Sequence, residues 1–415
     1  MKILIVDDST TLLNGLVSVL ENIDSLKIFT AKSKQECANL LLQEKGKFDI
    51  AILDLGLPDA PDGEIIPFME KFSIPSIILT AKQYDQNNPL YKHDFIIDYV
   101  IKNGSYALDY TAYVVERFIE NSKVDVLVVD DSRSFSAKIK HLCKRYNINT
   151  ILASCAEDAI KIMKSKNKIK LILVDYIMPG MNGLELTALM RKKYKKDEIS
   201  IIALSSIKDK DVVAKFLKYG ANDFIYKDFS DEEFYARVNS NLDIIKLFEL
   251  SRDRANKDYM TGMYNRRYLF EKGTRIYEKT KKVDDYISCA IIDIDKFKNI
   301  NDTYGHDIGD IAIKYIPKIL NTFLDDNNLI SRVGGEEFCI ISKNISEREI
   351  LDLYEQIREA FEESVLTIDD LELNFTVSIG LTTSFGSSFE DMLKKADLAL
   401  YEAKETGRNK VVLLK

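Results

Sequence analysis

Two acidic segments of this chain are placed where phosphate chemistry could be done. One is Val333-Gly334-Gly335-Glu336-Glu337-Phe338, with two carboxylates directly after a two-glycine turn between apolar runs. Leu329 to Val333 and Phe338 to Ile341 read as strands, and Gly-Gly between them signals a tight hairpin. A turn without Cβ atoms lets a ligand approach closely, and adjacent glutamates bring anionic oxygens toward a divalent cation. The other segment, about 40 residues upstream, is Ala290-Ile291-Ile292-Asp293-Ile294-Asp295. Its apolar run from Ile287 to Ile292 reads as a buried strand that hands over to a helix at Asp293, a common place for ligand-binding carboxylates. Asp293 and Asp295 share a strand face by the period of two, and Ile294 between them can offer its backbone carbonyl. Asp293, Glu336 and Glu337 supply oxygen ligands with no thiol or imidazole, a set that suits Mg²⁺ with bound phosphates better than zinc. Two-metal displacement at phosphorus needs carboxylates of this kind. Taken alone, the hairpin fits a merely solvated acidic turn equally well; the second segment tips the reading toward a metal–phosphate site.

A different constellation occurs twice in the first 245 residues. Ile5-Val6-Asp7-Asp8-Ser9 returns as Val128-Val129-Asp130-Asp131-Ser132, and Ile52-Leu53-Asp54 returns as Leu173-Val174-Asp175. Leu79-Thr80 answers Leu204-Ser205, and Ile101-Lys102 answers Tyr226-Lys227. Each copy thus offers three carboxylates, one hydroxyl and one lysine. Three clustered carboxylates repel one another and call for a cation; Mg²⁺ relieves that and orients an incoming phosphoryl group. A carboxylate nucleophile can then form an acyl phosphate, whose new oxygens the hydroxyl and lysine can contact. The plainer alternative is a doubly wound domain whose acidic loops serve solubility, and the repeated order weighs against it.

These side chains need elements to hold them. Each landmark of the repeat ends a short β-branched apolar run, with helical-period segments between. That is the alternating βα pattern of a doubly wound parallel sheet, which gathers the polar residues at its carboxyl edge. Ser230 to Lys257 reads as one long helix, with Phe234, Val238, Leu242, Ile245 and Phe248 in a single apolar stripe. That stripe suits packing within the monomer and a short coiled coil in a dimer equally. Asp253 to Lys257 is highly charged and reads as a hinge. The expected divisions are 1–121 and 124–245 for the repeats, 230–257 for the helix and linker, and 258–415 for the remainder. A length of 415 residues favours two to four domains, and 46% hydrophobic residues supply several cores. Net charge −8 argues against a protein that coats nucleic acid. The five cysteines are an odd number without close pairs and read as small apolar core residues in a reducing compartment. Lys2 is followed at once by a strand-like run, and no apolar run approaches the roughly 20 residues of a membrane span. The expectation is a cytoplasmic protein with no nucleic-acid or membrane partner.

Residues 258–415 resemble the GGDEF domain of diguanylate cyclases, in its GGEEF form. Besides the two acidic segments, the likeness rests on Asp258-Tyr259-Met260-Thr261-Gly262-Met263-Tyr264-Asn265-Arg266-Arg267, similar to the family's D-x-L-T-G-L-x-N-R-R with Met for both Leu. It rests also on Phe375-Thr376-Val377-Ser378-Ile379-Gly380 and on the run from Ala396-Asp397-Leu398-Ala399 to Gly407-Arg408-Asn409. The resemblance implies a palm-like antiparallel sheet flanked by helices, which joins two GTP into cyclic di-GMP and releases two pyrophosphates. It implies Asp293, the Ile294 carbonyl and Glu336 as metal ligands, with Glu337 at the second of two Mg²⁺ ions. Glu336 is also the implied active-site acid, either deprotonating the attacking hydroxyl or holding metal. Lys298 is implied to stabilise charge on the transferring phosphate. Lys404 and Arg408, four apart on a helix or its end, would both face the triphosphate. Asn301 and Asp310 match the guanine readers, and His306 matches a substrate-pocket position while also suiting a structural bond in its turn. Many relatives carry an R-x-x-D product-inhibition site; Asp325 and Asn328 stand there instead, so that site is expected to be absent.

Both repeats resemble response-regulator receiver domains. That likeness implies Asp54 and Asp175 as phosphoacceptors and one Mg²⁺ per receiver at the acidic pairs Asp7, Asp8 and Asp130, Asp131. Thr80, Lys102, Ser205 and Lys227 are the implied switch residues. The second copy matches closely through Asp175-Tyr176-Ile177-Met178-Pro179-Gly180-Met181-Asn182-Gly183. The first is looser, with 26 residues from Asp54 to Thr80 against 30 from Asp175 to Ser205. Asn103 and Asp228 follow the lysines where the family usually has Pro. In similar two-receiver cyclases the first receiver takes the phosphate and the second is a dimerisation adaptor. Here the second keeps every receptor residue, so the choice stays open. The implied architecture is α/β multidomain: two doubly wound, flavodoxin-like receivers followed by an α+β nucleotide-cyclase palm. The implied function is a phosphorylation-regulated diguanylate cyclase of a two-component pathway. It would take GTP, be served by a histidine kinase or other phosphoryl donor, and act as a homodimer. A catalytically silent nucleotide-binding module and a protein-binding scaffold are the alternatives.

Overall fold

The structure, a computed structural model, describes all residues except 24–25, 82–92, 103, 166–167, 284, 326 and 369–370. They form two compact units, Met1–Glu249 and Leu250–Lys415.

The first unit contains the repeat. Strands β1 (Lys2–Val6), β2 (Lys27–Ala31), β3 (Ile50–Asp54), β4 (Ser76–Thr80) and β5 (Ile96–Ile101) alternate with helices α1 (Thr10–Leu20), α2 (Lys34–Gln43) and α3 (Ile65–Glu70), and α4 (Gly104–Asn121) follows. The second copy has β6 (Asp125–Val129), β7 (Asn149–Ala153), β8 (Ile169–Asp175), β9 (Ser200–Ser205) and β10 (Asp223–Tyr226), with α5 (Arg133–Arg145), α6 (Ala156–Ser165), α7 (Gly183–Lys193) and α8 (Lys210–Lys218). Helix α9 (Asp231–Asn256) then carries the chain from the first unit into the second. Both sheets are parallel with the same order, β2-β1-β3-β4-β5 and β7-β6-β8-β9-β10. Strands β3, β4, β6 and β9 are buried throughout, as strands covered by helices on both faces must be. In this order the strand sequence reverses between the first and third strands, so a crevice opens beyond their carboxyl ends. The serines after the acidic pairs have a structural duty there: Ser9 and Ser132 cap α1 and α5, each accepting a backbone N–H. The shorter spacing in the first copy is taken up in its third helix, since α3 has 6 residues where α7 has 11.

One apolar cluster runs through both copies, from Ile3, Leu16 and Phe118 to Val126, Leu142 and Tyr146. Polar bonds reinforce it. Tyr146 donates its hydroxyl to the Ile97 carbonyl at 2.5 Å, Arg145 donates to the Ile96 carbonyl at 2.7 Å, and Arg117 pairs with Asp243 of α9 at 2.9 Å. Phe234, Val238, Leu242 and Ile245 of the predicted stripe join this cluster, whereas Phe248 is 46% exposed. Packing within the chain therefore accounts for the stripe as far as Ile245.

The second unit is built on a six-stranded sheet of order β11-β13-β14-β12-β17-β18. Its strands are β11 (Tyr264–Asn265), β12 (Ile287–Ile294), β13 (Leu329–Gly334), β14 (Glu337–Lys343), β17 (Val377–Thr382) and β18 (Val411–Leu414); β15 (Leu366–Ile368) and β16 (Leu371–Leu373) form a separate hairpin. The central strand β12 is antiparallel to β14 and β17 and buried along its whole length. Helices α10 (Arg266–Val283), α11 (Phe297–Tyr304), α12 (His306–Phe323), α13 (Glu347–Glu363) and α14 (Phe389–Glu405) flank it. Separate apolar clusters form around Ile292, Phe338 and Tyr354 and around Cys289, Phe389 and Met392. The parallel sheets and the α+β second unit agree with the expected fold class, but the palm sheet is mixed rather than antiparallel throughout, because the edge strands β11 and β18 pair parallel to β13 and β17. Among the described residues no helix is long and apolar enough to cross a membrane, and all five cysteines are free, four of them buried.

Candidate functional site

The end of β12 brings the two acidic segments of the second unit together. Strand register sets Asp293 opposite Glu337 on β14 and Ser378 on β17. The turn differs by one residue from the sequence expectation. β13 continues through Gly334, a register shift lies between Arg332 and Gly334, and Gly334 pairs with Glu337. The two turn residues are therefore Gly335 and Glu336, with Gly335 at φ +41°, a conformation that glycine adopts without strain. Glu336 stands at the half-buried tip.

Asp293 is 4% exposed. Burial pushes its carboxyl up to about 6; the Lys404 ammonium holds it down, and Glu336 and Glu337 push it up further. Lys404 Nζ lies 2.8 Å from Asp293 Oδ2. The lysine expected to face a triphosphate thus sits on the carboxylate expected to bind metal, as charge balance in a buried site favours. The oxygens of Asp293, Glu336 and Glu337 are not all within 4.8 Å of one another, unlike the acidic triads of the first unit. The set is nonetheless all oxygen and mutually repulsive, which fits a hard divalent cation.

Of the two placements open for Lys404 and Arg408, a helix or its end, the structure has the second: Lys404 is on α14 and Arg408 lies past its end. Helix α14 ends at Glu405, and Gly407, Arg408 and Asn409 all take positive φ, so Arg408 lies on a left-handed turn rather than on the next helical turn. Lys298 is exposed on α11, His306 is exposed at the first residue of α12, and Asp310 lies one turn further along that helix. Asn301 on α11 packs against Gly309 of α12, which brings it beside Asp310 in the chain. Ile294 is buried in the core, as a residue offering only its carbonyl would be. Asn328 donates to Asp325 at 2.9 Å; Asp326 between them lies outside the described residues.

In the first unit the two constellations assemble alike. Lys102 Nζ is 2.7 Å from Asp7 and 2.8 Å from Asp54, and Lys227 Nζ is 2.7 Å from Asp130 and 2.9 Å from Asp175. The carboxylates of Asp7, Asp8 and Asp54 lie within 4.8 Å of one another, as do those of Asp130, Asp131 and Asp175. Burial raises the carboxyls of Asp7 and Asp175 despite the neighbouring lysine. For Lys102, burial works against the charge, but Asp54 and Asp7 outweigh it and raise its pKa. Each triad fits a divalent cation by donor type and spacing. Thr80 and Ser205 are buried at the ends of β4 and β9, whose carbonyls accept from the backbone N–H of Lys102 and Lys227 at 2.8 and 2.9 Å. Asn103 lies outside the described residues.

Two roles are absent from the sequence reading, that of Arg332 and the hydrogen bonding of Asp295. Arg332 donates to the Gly335 carbonyl at 2.9 Å and to Asp258 at 3.0 Å, tying the acidic turn to the start of the unit. Asp295 accepts bonds from Thr376 and Ser378. A lone charged residue on a strand carries no periodic signal of its partner, though the Asp258 motif could have prompted a search for an arginine.

The fold and sites define a chain with two parallel α/β sheets, each carrying an acidic triad and a lysine, followed by a mixed palm sheet with an acidic turn. Comparison with known families agrees. The model for "Diguanylate cyclase, GGDEF domain" matches residues 255–410, and that for "Response regulator receiver domain" matches residues 126–239. The response regulator PleD of Caulobacter vibrioides is 32% identical over 255 residues, 59% of this chain and 56% of that protein. A diguanylate cyclase of Vibrio cholerae is 34% identical over 168 residues, 40% of this chain and 52% of that protein. The chain thus spans about half the length of these curated relatives. Two solved structures of two-component response regulator/GGDEF domain proteins are 32% identical, with TM-scores of 0.54 and 0.53, covering 59% of this chain and 99% of theirs. The chain belongs to the response regulators that carry a GGDEF domain.

Proposed function

We propose that the chain is a phosphorylation-regulated diguanylate cyclase, with receiver domains at 1–121 and 124–245, a helix and linker at 230–257 and the cyclase domain at 258–415. The observation that carries the catalytic reading is Asp293: buried, pushed up to about 6, opposite Glu337 in register and bonded by Lys404. In each half-reaction the ribose 3′-oxygen of one GTP bonds to the α-phosphorus of the other, and the bond from that phosphorus to the bridging oxygen breaks, releasing pyrophosphate. Asp293, the Ile294 carbonyl, Glu336 and Glu337 would hold two Mg²⁺ ions, which when bound neutralise triphosphate charge and acidify the attacking hydroxyl. Lys298 offers a compact ammonium to the transferring phosphate, and Lys404 and Arg408 offer cations to the triphosphate. Asn301, His306 and Asp310 line the guanine side. Asp310 can accept from guanine N1–H and N2–H₂, donors that adenine lacks, so ATP would leave it unpaired.

Control belongs to the acidic triads. A phosphoryl donor, such as a histidine kinase, would transfer to Asp54 or Asp175, with one Mg²⁺ held by Asp7 and Asp8 or by Asp130 and Asp131. The new phosphoryl oxygens compete for Lys102 or Lys227 and for the Thr80 or Ser205 hydroxyl, turning a local charge change into a shift of the strand end. The equivalence of the Lys102 and Lys227 contacts supports reading the first copy as a receiver too. This reading places the protein in the cytoplasm, active as a homodimer.

The test is direct. Purified chain with GTP and Mg²⁺ is expected to yield cyclic di-GMP, read by chromatography. Asp293→Asn or Glu336→Gln is expected to cut turnover by about 100-fold or more while the thermal melt stays cooperative. Near-normal synthesis by either variant would mean that the metal ligands are misassigned.

A further inference from the structure

Asp295 is a carboxylate that the proposed reaction leaves without a task. It is 7% exposed and lies just past the end of β12, two residues beyond Asp293. Its Oδ1 accepts from Ser378 Oγ at 2.6 Å, and its Oδ2 accepts from Thr376 Oγ1 at 2.7 Å. Thr376 and Ser378 flank the start of β17, the neighbour of β12, so these two bonds fix the carboxylate on the sheet. A third bond reaches elsewhere: the backbone N–H of Asn409 donates to Asp295 Oδ2 at 2.9 Å.

Asn409 closes an unusual segment. Gly407, Arg408 and Asn409 have φ of +123°, +64° and +46° in succession. Residues with a Cβ disfavour that region and persist in it only where the surroundings over-determine them. The surroundings do so here. The Arg408 N–H donates to the Ala403 carbonyl of α14 at 3.0 Å. The Asn409 side chain accepts from Arg358 at 3.0 Å and donates to Glu362 at 2.8 Å, both on α13. Asp295 supplies the clamp from the sheet, on the same strand end that presents Asp293 to Lys404 at 2.8 Å.

We propose that Asp295 is a positioning residue for triphosphate recognition: by holding the Asn409 N–H it fixes the left-handed turn and so aims Arg408 at the site around Asp293. The proposal rests on the cyclase reading above. A carboxylate that merely stapled α14 to the sheet would affect stability, and its loss would be independent of Arg408.

A double-mutant cycle separates the two roles. The full chain is titrated calorimetrically, with Mg²⁺ present, with 3′-deoxy-GTP, which lacks the attacking hydroxyl and cannot turn over. Asp295→Ala removes every acceptor, including the one that takes the Asn409 N–H. It and Arg408→Ala are each expected to weaken binding about tenfold, the scale of one charge-assisted hydrogen bond. The double variant is expected to bind no more weakly than Arg408→Ala alone, with GMP binding unchanged throughout. Should Asp295→Ala fail to fold, Ser378→Ala removes one anchor of the same carboxylate and is expected to show a smaller loss that vanishes in the Arg408→Ala background. Losses that multiply, or wild-type affinity in the anchor variants, overturn the proposal while leaving the cyclase reading intact. If the wild type does not bind 3′-deoxy-GTP, or Arg408→Ala binds it normally, the cyclase or arginine assignment falls and takes this proposal with it.

Discussion

A Cβ placed on Gly309 would meet the Asn301 amide oxygen at 1.9 Å and the Phe297 ring at 3.2 Å. Helices α11 and α12 approach as they do because position 309 has no side chain. Gly309→Ala is therefore expected to displace Asn301 and raise the KM for GTP roughly tenfold, with kcat changed less, since a guanine contact made in ground and transition states alike acts on binding. Steady-state kinetics would show it, and a wild-type KM would detach Asn301 from guanine recognition. Asp325 and Asn328 bear on feedback at the same scale. With an acid and an amide bonded to each other where many of the resembled domains carry an arginine, added cyclic di-GMP is expected to inhibit only weakly through this site. Potent inhibition abolished by Asp325→Ala would overturn that. Asp293, Glu336 and Glu337 were legible because their spacing matched strand ends. Gly407, a residue common just beyond a helix end, accounts for Arg408 falling past the end of α14 rather than on it.

Strand β5 ends one residue before Lys102 and carries Asp98, a half-buried carboxylate bonded by the Tyr110 hydroxyl at 2.9 Å. Burial raises its pKa, Tyr110 and the Tyr99 N–H pull it back, and Glu232 of α9 pushes it up again. Because the folded pKa lies above the unfolded value of 3.8, the folded chain binds more protons there, and stability falls as pH rises through that interval. Asp98→Asn is expected to raise Tm relative to wild type at pH 8 and to lose that advantage near pH 4, in paired thermal melts. A difference independent of pH would show that packing, not charge, governs the site. The element order of both parallel sheets was legible in the βα repeat. The hairpin was read one residue short because the register shift after Arg332 lets β13 run on through Gly334, and bulges leave no periodic trace. The stripe of α9 stayed open in the sequence because its partner surface comes from residues about a hundred positions earlier, where pattern alone does not reach.

At the scale of the whole molecule, catalysis and control meet in assembly. On the proposed reading one cyclase site would hold one GTP, so two would have to face each other across a two-fold axis. Pairing through receivers would raise the local concentration of cyclase domains to about the mM range. A beryllofluoride adduct, which mimics the acyl phosphate, is accordingly expected to raise both dimer fraction and specific activity, in sedimentation and turnover assays. Asp54→Asn and Asp175→Asn, tested singly, would show which receiver responds. An adduct that leaves both readouts unchanged would discard this form of control without touching the catalytic assignment.

The apolar cluster shared by the two parallel sheets also sets how the first unit comes apart. Ile3, Val115 and Phe118 bury their surface in the same continuous cluster as Ile139, Leu142 and Val238. Although each sheet also packs a cluster of its own, the shared one is expected to make the two repeats a single foldon that opens as a whole. In native-state amide exchange, the slowest protons of β1 and β6 should then share a single opening free energy and a single denaturant slope.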